Sequence, residues 1–175
     1  VAQLNSALDY GSRGYWFESS QGHKIKTQLS NYLIIAFFYF KINASNMPEY
    51  FLDIKYENKT YTVEEVNFKE FECCTFINCN FSDCNFIDVT FIDCVFNDCI
   101  FSGAKINHVA LRTVFFNRCE IKDVNFALCN KLISEVHFKD CILDFSKFYT
   151  LKIKGTSFTN CSLVAIDFMS TDLTE

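Results

Sequence analysis

Ten cysteines are the side chains in this 175-residue sequence best suited to chemistry. As thiolates, cysteines ligate soft metals, exchange disulfides and act as nucleophiles. Zinc sites draw them in C-x-x-C pairs; no such pair occurs, and Cys74, Cys79, Cys84, Cys94 and Cys99 recur at multiples of five. A secreted disulfide scaffold is another use for many cysteines. These sit where a repeat places small side chains, so they read as buried small hydrophobes in a reducing, cytoplasmic setting. Asp83, Asp88, Asp93 and Asp98 look in sequence like a carboxylate cluster fit for acid–base work. Apart from His23, the histidines are His108 and His137, with no nearby Cys nucleophile or Ser partner. Glycine-rich phosphate loops are absent.

What positions these residues is a beat of five. Large apolar centres stand at Phe71, Phe76, Phe81, Phe86, Phe91, Phe96, Phe101, Ile106, Leu111, Phe116, Ile121 and Phe126. The beat slips by two at Ala127 to Ser134, then resumes at Ile133, Phe138, Leu143, Phe148, Ile153, Phe158, Leu163, Phe168 and Leu173. Two residues before most centres sits a small side chain, as in Cys74, Cys79, Cys84, Val89 and Ala104. A period of five is neither the 3.6 of a helix nor the 2 of a strand, so it marks a structural repeat.

Composition agrees with a folded chain: Phe is 21, Pro is 1, Gly is 5 and half the residues are hydrophobic. The formal net charge is −5. From Met47 onward there are 12 Lys and Arg against 19 Asp and Glu, a net charge of −7. That balance disfavours direct nucleic-acid binding, which needs cations at the phosphates.

Residues 1–46 stand apart. Val1 to His23 back-translates into a transfer-RNA gene: GTGGCCC for Val1-Ala2-Gln3 and GGGCCAC for Gln21-Gly22-His23 are reverse complements, as acceptor-stem strands must be. On that reading, residues up to Asn46 are an intergenic remainder and Met47 is the start. The other reading is a disordered or signal-like segment, because Tyr32 to Phe40 is an apolar run behind Lys24 and Lys26. That run is shorter than the roughly 20 residues of a membrane helix. Residues 47–70 hold two strand candidates, Tyr50 to Tyr56 and Thr60 to Val66, around Glu57-Asn58-Lys59. They predict a β cap, as a hairpin or paired edge strands, over the first coil of the repeat.

Units such as Cys79-Asn80-Phe81-Ser82-Asp83, a large apolar centre with a small residue two before it, resemble the pentapeptide-repeat proteins. The resemblance covers Phe71 to Glu175 and implies an all-β fold, a right-handed quadrilateral parallel β-helix. Each pentad forms one side and four make a coil, giving about five coils at the about 4.8 Å spacing of neighbouring strands. Centres and the residues two before them point inward, leaving no room for a ligand; Ser146, Thr156 and Thr171 are the polar exceptions. The side of Phe81 continues through Phe101, Ile121, Leu143 and Leu163, and carries an inward ladder of Cys79, Cys99, Cys119, Cys141 and Cys161. Parallel in-register thiols are poorly placed for disulfides, so the ladder reads as packing, with a redox or soft-metal role as the alternative. The four aspartates fall on successive sides and cannot pair. His108 and His137 point outward on different sides. The two extra residues at Ala127 to Ser134 predict a bulge at a corner.

No catalytic residue, cofactor or metal ligand emerges, so the expectation is a non-enzymatic scaffold that binds another macromolecule, most naturally a protein, through its outer faces. The resemblance implies an alternative, a DNA mimic that binds DNA gyrase or topoisomerase IV and protects it from quinolones. It also implies a homodimer through the C-terminal coil. No direct nucleic-acid or membrane contact is expected.

Overall fold

The computed structural model describes residues 48–62, 65–130 and 134–172. The expectations for residues 1–46, and for the centres Ile133 and Leu173, lie outside the described residues. The described chain is all-β apart from a 3-10 helix at Phe126–Leu128.

Nine strands form one parallel sheet: β1 (Glu49–Leu52), β2 (Lys55–Glu57), β3 (Lys69–Glu72), β4 (Thr75–Ile77), β5 (Thr90–Ile92), β6 (Val95–Asn97), β7 (Ala110–Asn117), β8 (Ser134–Lys139) and β9 (Ser157–Thr159). Each of β1 to β8 pairs with the strand one coil later. Phe51, Phe71, Phe91 and Leu111 form one register column, and Tyr56, Phe76, Phe96, Phe116, Phe138 and Phe158 form the next. The other two sides are joined by single bridges, such as Asn80 to Ile100 and Asn125 to Lys147. Turn bonds close them, as from Cys84 N to Phe81 O at 3.1 Å. We name each side by its first repeat centre: Phe71, Phe76, Phe81 and Phe86. Phe71 to Asp172 makes about five coils of a β-solenoid.

The column spacing explains why phenylalanine fills the axis. Rings one coil apart stack nearly parallel: Phe76 on Phe96 at 4.7 Å and Phe96 on Phe116 at 4.9 Å. Rings on neighbouring sides meet edge to face, as Phe91 and Phe96 do at 5.2 Å. Both geometries suit the aromatic quadrupole. Where Ile106, Leu111 and Ile121 replace rings, an apolar cavity of about 20 Å³ remains. The axis is therefore not completely filled, although the gap is water-sized and has no polar lining.

One feature differs from expectation. The segment ahead of Phe71 does not form a hairpin: β1 and β2 pair in parallel with β3 and β4, at the register of the coils that follow. Phe51, Tyr56, Tyr61 and Val66 already keep the beat of five. The residues two before them, Glu49, Ile54, Lys59 and Glu64, are not small, which hides the pattern. No described coil covers this one, so Glu49 and Lys59 remain exposed.

Described residues bracket the slip. Cys129 is buried and its thiol donates to Ile106 O at 3.3 Å, as the inward residue of the next side should. Ser134 is already paired with Arg112. The register is thus that of the earlier coils at Cys129 and is displaced by two at Ser134; the expected bulge falls on residues 131–133, which lie outside the described residues. The corner after Phe126 is turned by the 3-10 helix.

Candidate functional site

The cysteine ladder is the densest set of reactive side chains, and its surroundings specify its role. Cys79, Cys99, Cys119 and Cys141 are buried, and Cys161 is half-buried. Each thiol donates to a backbone carbonyl one coil earlier and one side back: Cys99 to Phe76 O at 3.5 Å, Cys119 to Phe96 O at 3.5 Å, Cys141 to Phe116 O at 3.3 Å. Cysteines on the other sides do the same, as Cys84 to Tyr61 O at 3.4 Å and Cys94 to Phe71 O at 3.3 Å. Ser146 shows why a donor is accepted there. Its hydroxyl donates to Ile121 O at 2.7 Å and accepts from Val124 N at 3.1 Å, although the residue is fully buried. Thr171 likewise donates to Phe148 O at 2.8 Å. Thr156 is the exception: its buried hydroxyl has no partner.

Within the ladder, hydrogen bonding to Cys119 lowers Cys99 and Cys141, the latter to about 7. Burial pushes Cys94 up to about 12. Contact with Cys141 and Cys99, and then burial, raises Cys119 far above the ordinary thiol range. All ten cysteines are free. Among the described residues, no three His, Cys, Asp or Glu side chains are grouped to hold a metal ion. Cys73 is the exposed thiol, at a corner between Asp53 and Asp93.

The aspartates have a backbone role that sequence spacing did not disclose. Asp83, Asp88, Asp93 and Asp98 occupy left-handed backbone at φ 57, 50, 51 and 55°. They sit two residues after a centre, where the chain turns from one side to the next. Asp and Asn adopt this region more readily than other non-glycine residues. Gly103 and Gly155 take the same place at φ 72 and 75°. The interval of five in the acids is therefore the interval of the corners. Asp98 is additionally held by Arg118 through two 2.7 Å hydrogen bonds, which keep its carboxyl below the usual range.

His108 is exposed at a corner, at φ 63°. His137 lies on the Phe76 side, stacked on Phe115 at 4.7 Å with Nδ1 2.8 Å from Ser157 Oγ. The two histidines are on different sides. What reaches solvent is a set of sides bearing polar ladders, such as Asn117 to Asn97 at 3.0 Å and Asn160 to Asp140 at 2.6 Å. Among the described residues, no helix is long and apolar enough to cross a membrane.

The model for pentapeptide repeats (9 copies) matches residues 71–112. No curated protein matches the chain in sequence. Among solved structures, full-length QnrB1, a plasmid-mediated fluoroquinolone resistance protein, is 18% identical over 70% of this chain and 59% of its own, with a TM-score of 0.34. A pentapeptide-repeat protein from the cyanobacterium Cyanothece 51142 is 6% identical over 70% of this chain and 86% of its own, with a TM-score of 0.29. One from the Arabidopsis thaliana thylakoid lumen is 16% identical over 70% of each chain, with a TM-score of 0.24.

Proposed function

We propose that this pentapeptide-repeat protein is a non-enzymatic, cytoplasmic scaffold that binds a protein partner through its outer sides. The observation that supports this is the segregation of its chemistry. The buried cysteines point inward and donate to backbone carbonyls, Asp83, Asp88, Asp93 and Asp98 turn corners, and the enclosed space is water-sized. Flat sides around a core whose described cavity is water-sized offer surface to a macromolecule. Capture from a bacterial lysate tests the reading. The expected result is a protein partner lost when outward residues of one side are reversed in charge. Capture indifferent to reversal on all four sides contradicts it.

A second reading is a DNA mimic that binds a type II topoisomerase, as the resemblance implies. The net charge of −7 from Met47 onward favours it, since duplex DNA presents dense negative charge. Arg118, paired with Asp98, and the lysines among the acids weigh against it. A supercoiling assay with gyrase, with and without quinolone, decides: protection supports the mimic, and no effect at excess protein removes it. A homodimer through the C-terminal coil, where Leu163 is 38% exposed, is the corresponding proposal for self-association, tested by Leu163→Asp in light scattering.

A further inference from the structure

Backbone hydrogen bonds hold the cysteines of the Phe81 side in register. Ile100 N donates to Cys79 O, Glu120 N to Cys99 O and Ile142 N to Cys119 O, each at 3.0 Å, and Ser162 N donates to Cys141 O at 2.9 Å. The residues that follow the cysteines, from Asn80 through Ile100, Glu120 and Ile142 to Ser162, form an unbroken run of parallel bridges. Neighbouring thiols therefore stand one strand spacing apart, about 4.8 Å. That is more than twice the roughly 2.0 Å of a disulfide bond. It is close to the span of two metal–thiolate bonds placed end to end, about 4.6 Å at roughly 2.3 Å each. The spacing that disfavours a disulfide suits a soft ion held in line between two sulfurs.

One pair of rungs is set apart. Cys119 N donates to Cys141 Sγ at 3.4 Å, the one amide-to-sulfur bond along the described ladder. The same two coils, on either side of the slip, also let Val124 N donate to Ser146 Oγ at 3.1 Å. An amide N–H aimed at sulfur favours thiolate over thiol and fixes the direction of a ligand. Both cysteines are buried. Among the described residues no three His, Cys, Asp or Glu side chains converge, so zinc, which takes four ligands, does not fit. Copper(I), which soft thiolates select, accepts two.

We propose that Cys119 and Cys141 form a two-coordinate site for copper(I), the ion lying between their sulfurs. Binding breaks two S–H bonds, forms two S–Cu bonds and releases two protons to solvent. Two thiolates and one monovalent ion leave a net charge of −1, which the Cys119 N–H faces. The thiol bonds to Phe96 O and Phe116 O, at 3.5 and 3.3 Å, are given up; thiols are weak donors, so the loss is small. Cys161, one rung beyond Cys141 and half-buried, is the point of entry, from which exchange between thiolates passes the ion to Cys141. The site lies in the core and does not depend on what the outer sides bind.

Anaerobic titration of the reduced full chain with copper(I), against a chromogenic copper(I) chelator, tests it. A Cys73→Ser background silences the exposed thiol. The expected result is one ion retained per chain, with two sulfur neighbours by X-ray absorption at the copper edge. Cys119→Ser and Cys141→Ser should each lose the ion. Cys84→Ser, in the same inward setting on the Phe86 side, should keep it. Cys161→Ser should slow uptake and leave the final stoichiometry unchanged. Circular dichroism establishes that each variant is folded, and alanine replacements are read for any that is not. A chain that retains no copper(I) overturns the proposal. So does an ion held equally well by Cys119→Ser or Cys141→Ser, and uptake at an unchanged rate in Cys161→Ser overturns the entry path.

Discussion

The Cys94 thiol donates to the backbone carbonyl of Phe71, 3.3 Å away, one coil earlier and one side back. The same relation recurs at Cys84 and Cys99, and with a hydroxyl at Ser146 and Thr171. The inward position therefore selects for a small side chain and accepts a donor. Cys94→Ser should keep the fold, because Ser146 already makes that arrangement work. Cys94→Leu should destabilise by about 1–3 kcal/mol through overpacking. Urea unfolding of the three proteins checks the order, and equal midpoints would contradict it.

Phe96 is fully buried, stacked between Phe76 and Phe116 and edge-on to Phe91 and Phe101. Phe96→Ala should cost about 3–5 kcal/mol. Phe96→Asp would bury a carboxylate without a partner and should unfold the chain. A soluble, cooperatively unfolding Phe96→Asp variant would contradict this core.

Tyr61 stacks on Phe81 at 4.5 Å, but its buried hydroxyl has no hydrogen-bond partner. An unsatisfied buried polar group costs about 1–3 kcal/mol. Tyr61→Phe should therefore raise stability, a rare direction for a core substitution. Thermal unfolding of the variant reads it directly; a lower midpoint would show that the hydroxyl does find a partner.

The core should weaken in alkali. Burial raises Cys94 from 9.0 to about 12, and Tyr56 from 10.0 to about 12. Both groups are acids held neutral by the fold. Their contribution is intact below the unfolded values and is lost as pH rises through the folded ones, from about 9 to about 12. The unfolding midpoint should fall as pH rises above 9. Cys94→Ser should lessen the fall, and an unchanged slope in that variant would remove Cys94 as a cause.

The phenylalanine beat made the solenoid legible, because a strict interval of five with small residues two before it admits few other packings. The first coil was less legible. Phe51, Tyr56 and Tyr61 keep the interval, but Glu49 and Lys59 occupy positions that read as small elsewhere. The corner role of Asp83 and Asp93 was hidden because composition cannot distinguish a solvated acid from a left-handed one; only φ does. The slip was legible in the spacing, and the register on either side of it agrees: Cys129 keeps that of the earlier coils and Ser134 is displaced by two.

The central claim is that the repeat turns its small residues inward and leaves recognition to the outer sides. Native-state thiol alkylation, counted by mass spectrometry, tests it most directly. Of the ten free cysteines, Cys73 should react at once, Cys161 slowly, and the eight buried ones only in denaturant. Rapid labelling of Cys79, Cys99, Cys119 or Cys141 in the folded protein would contradict the account.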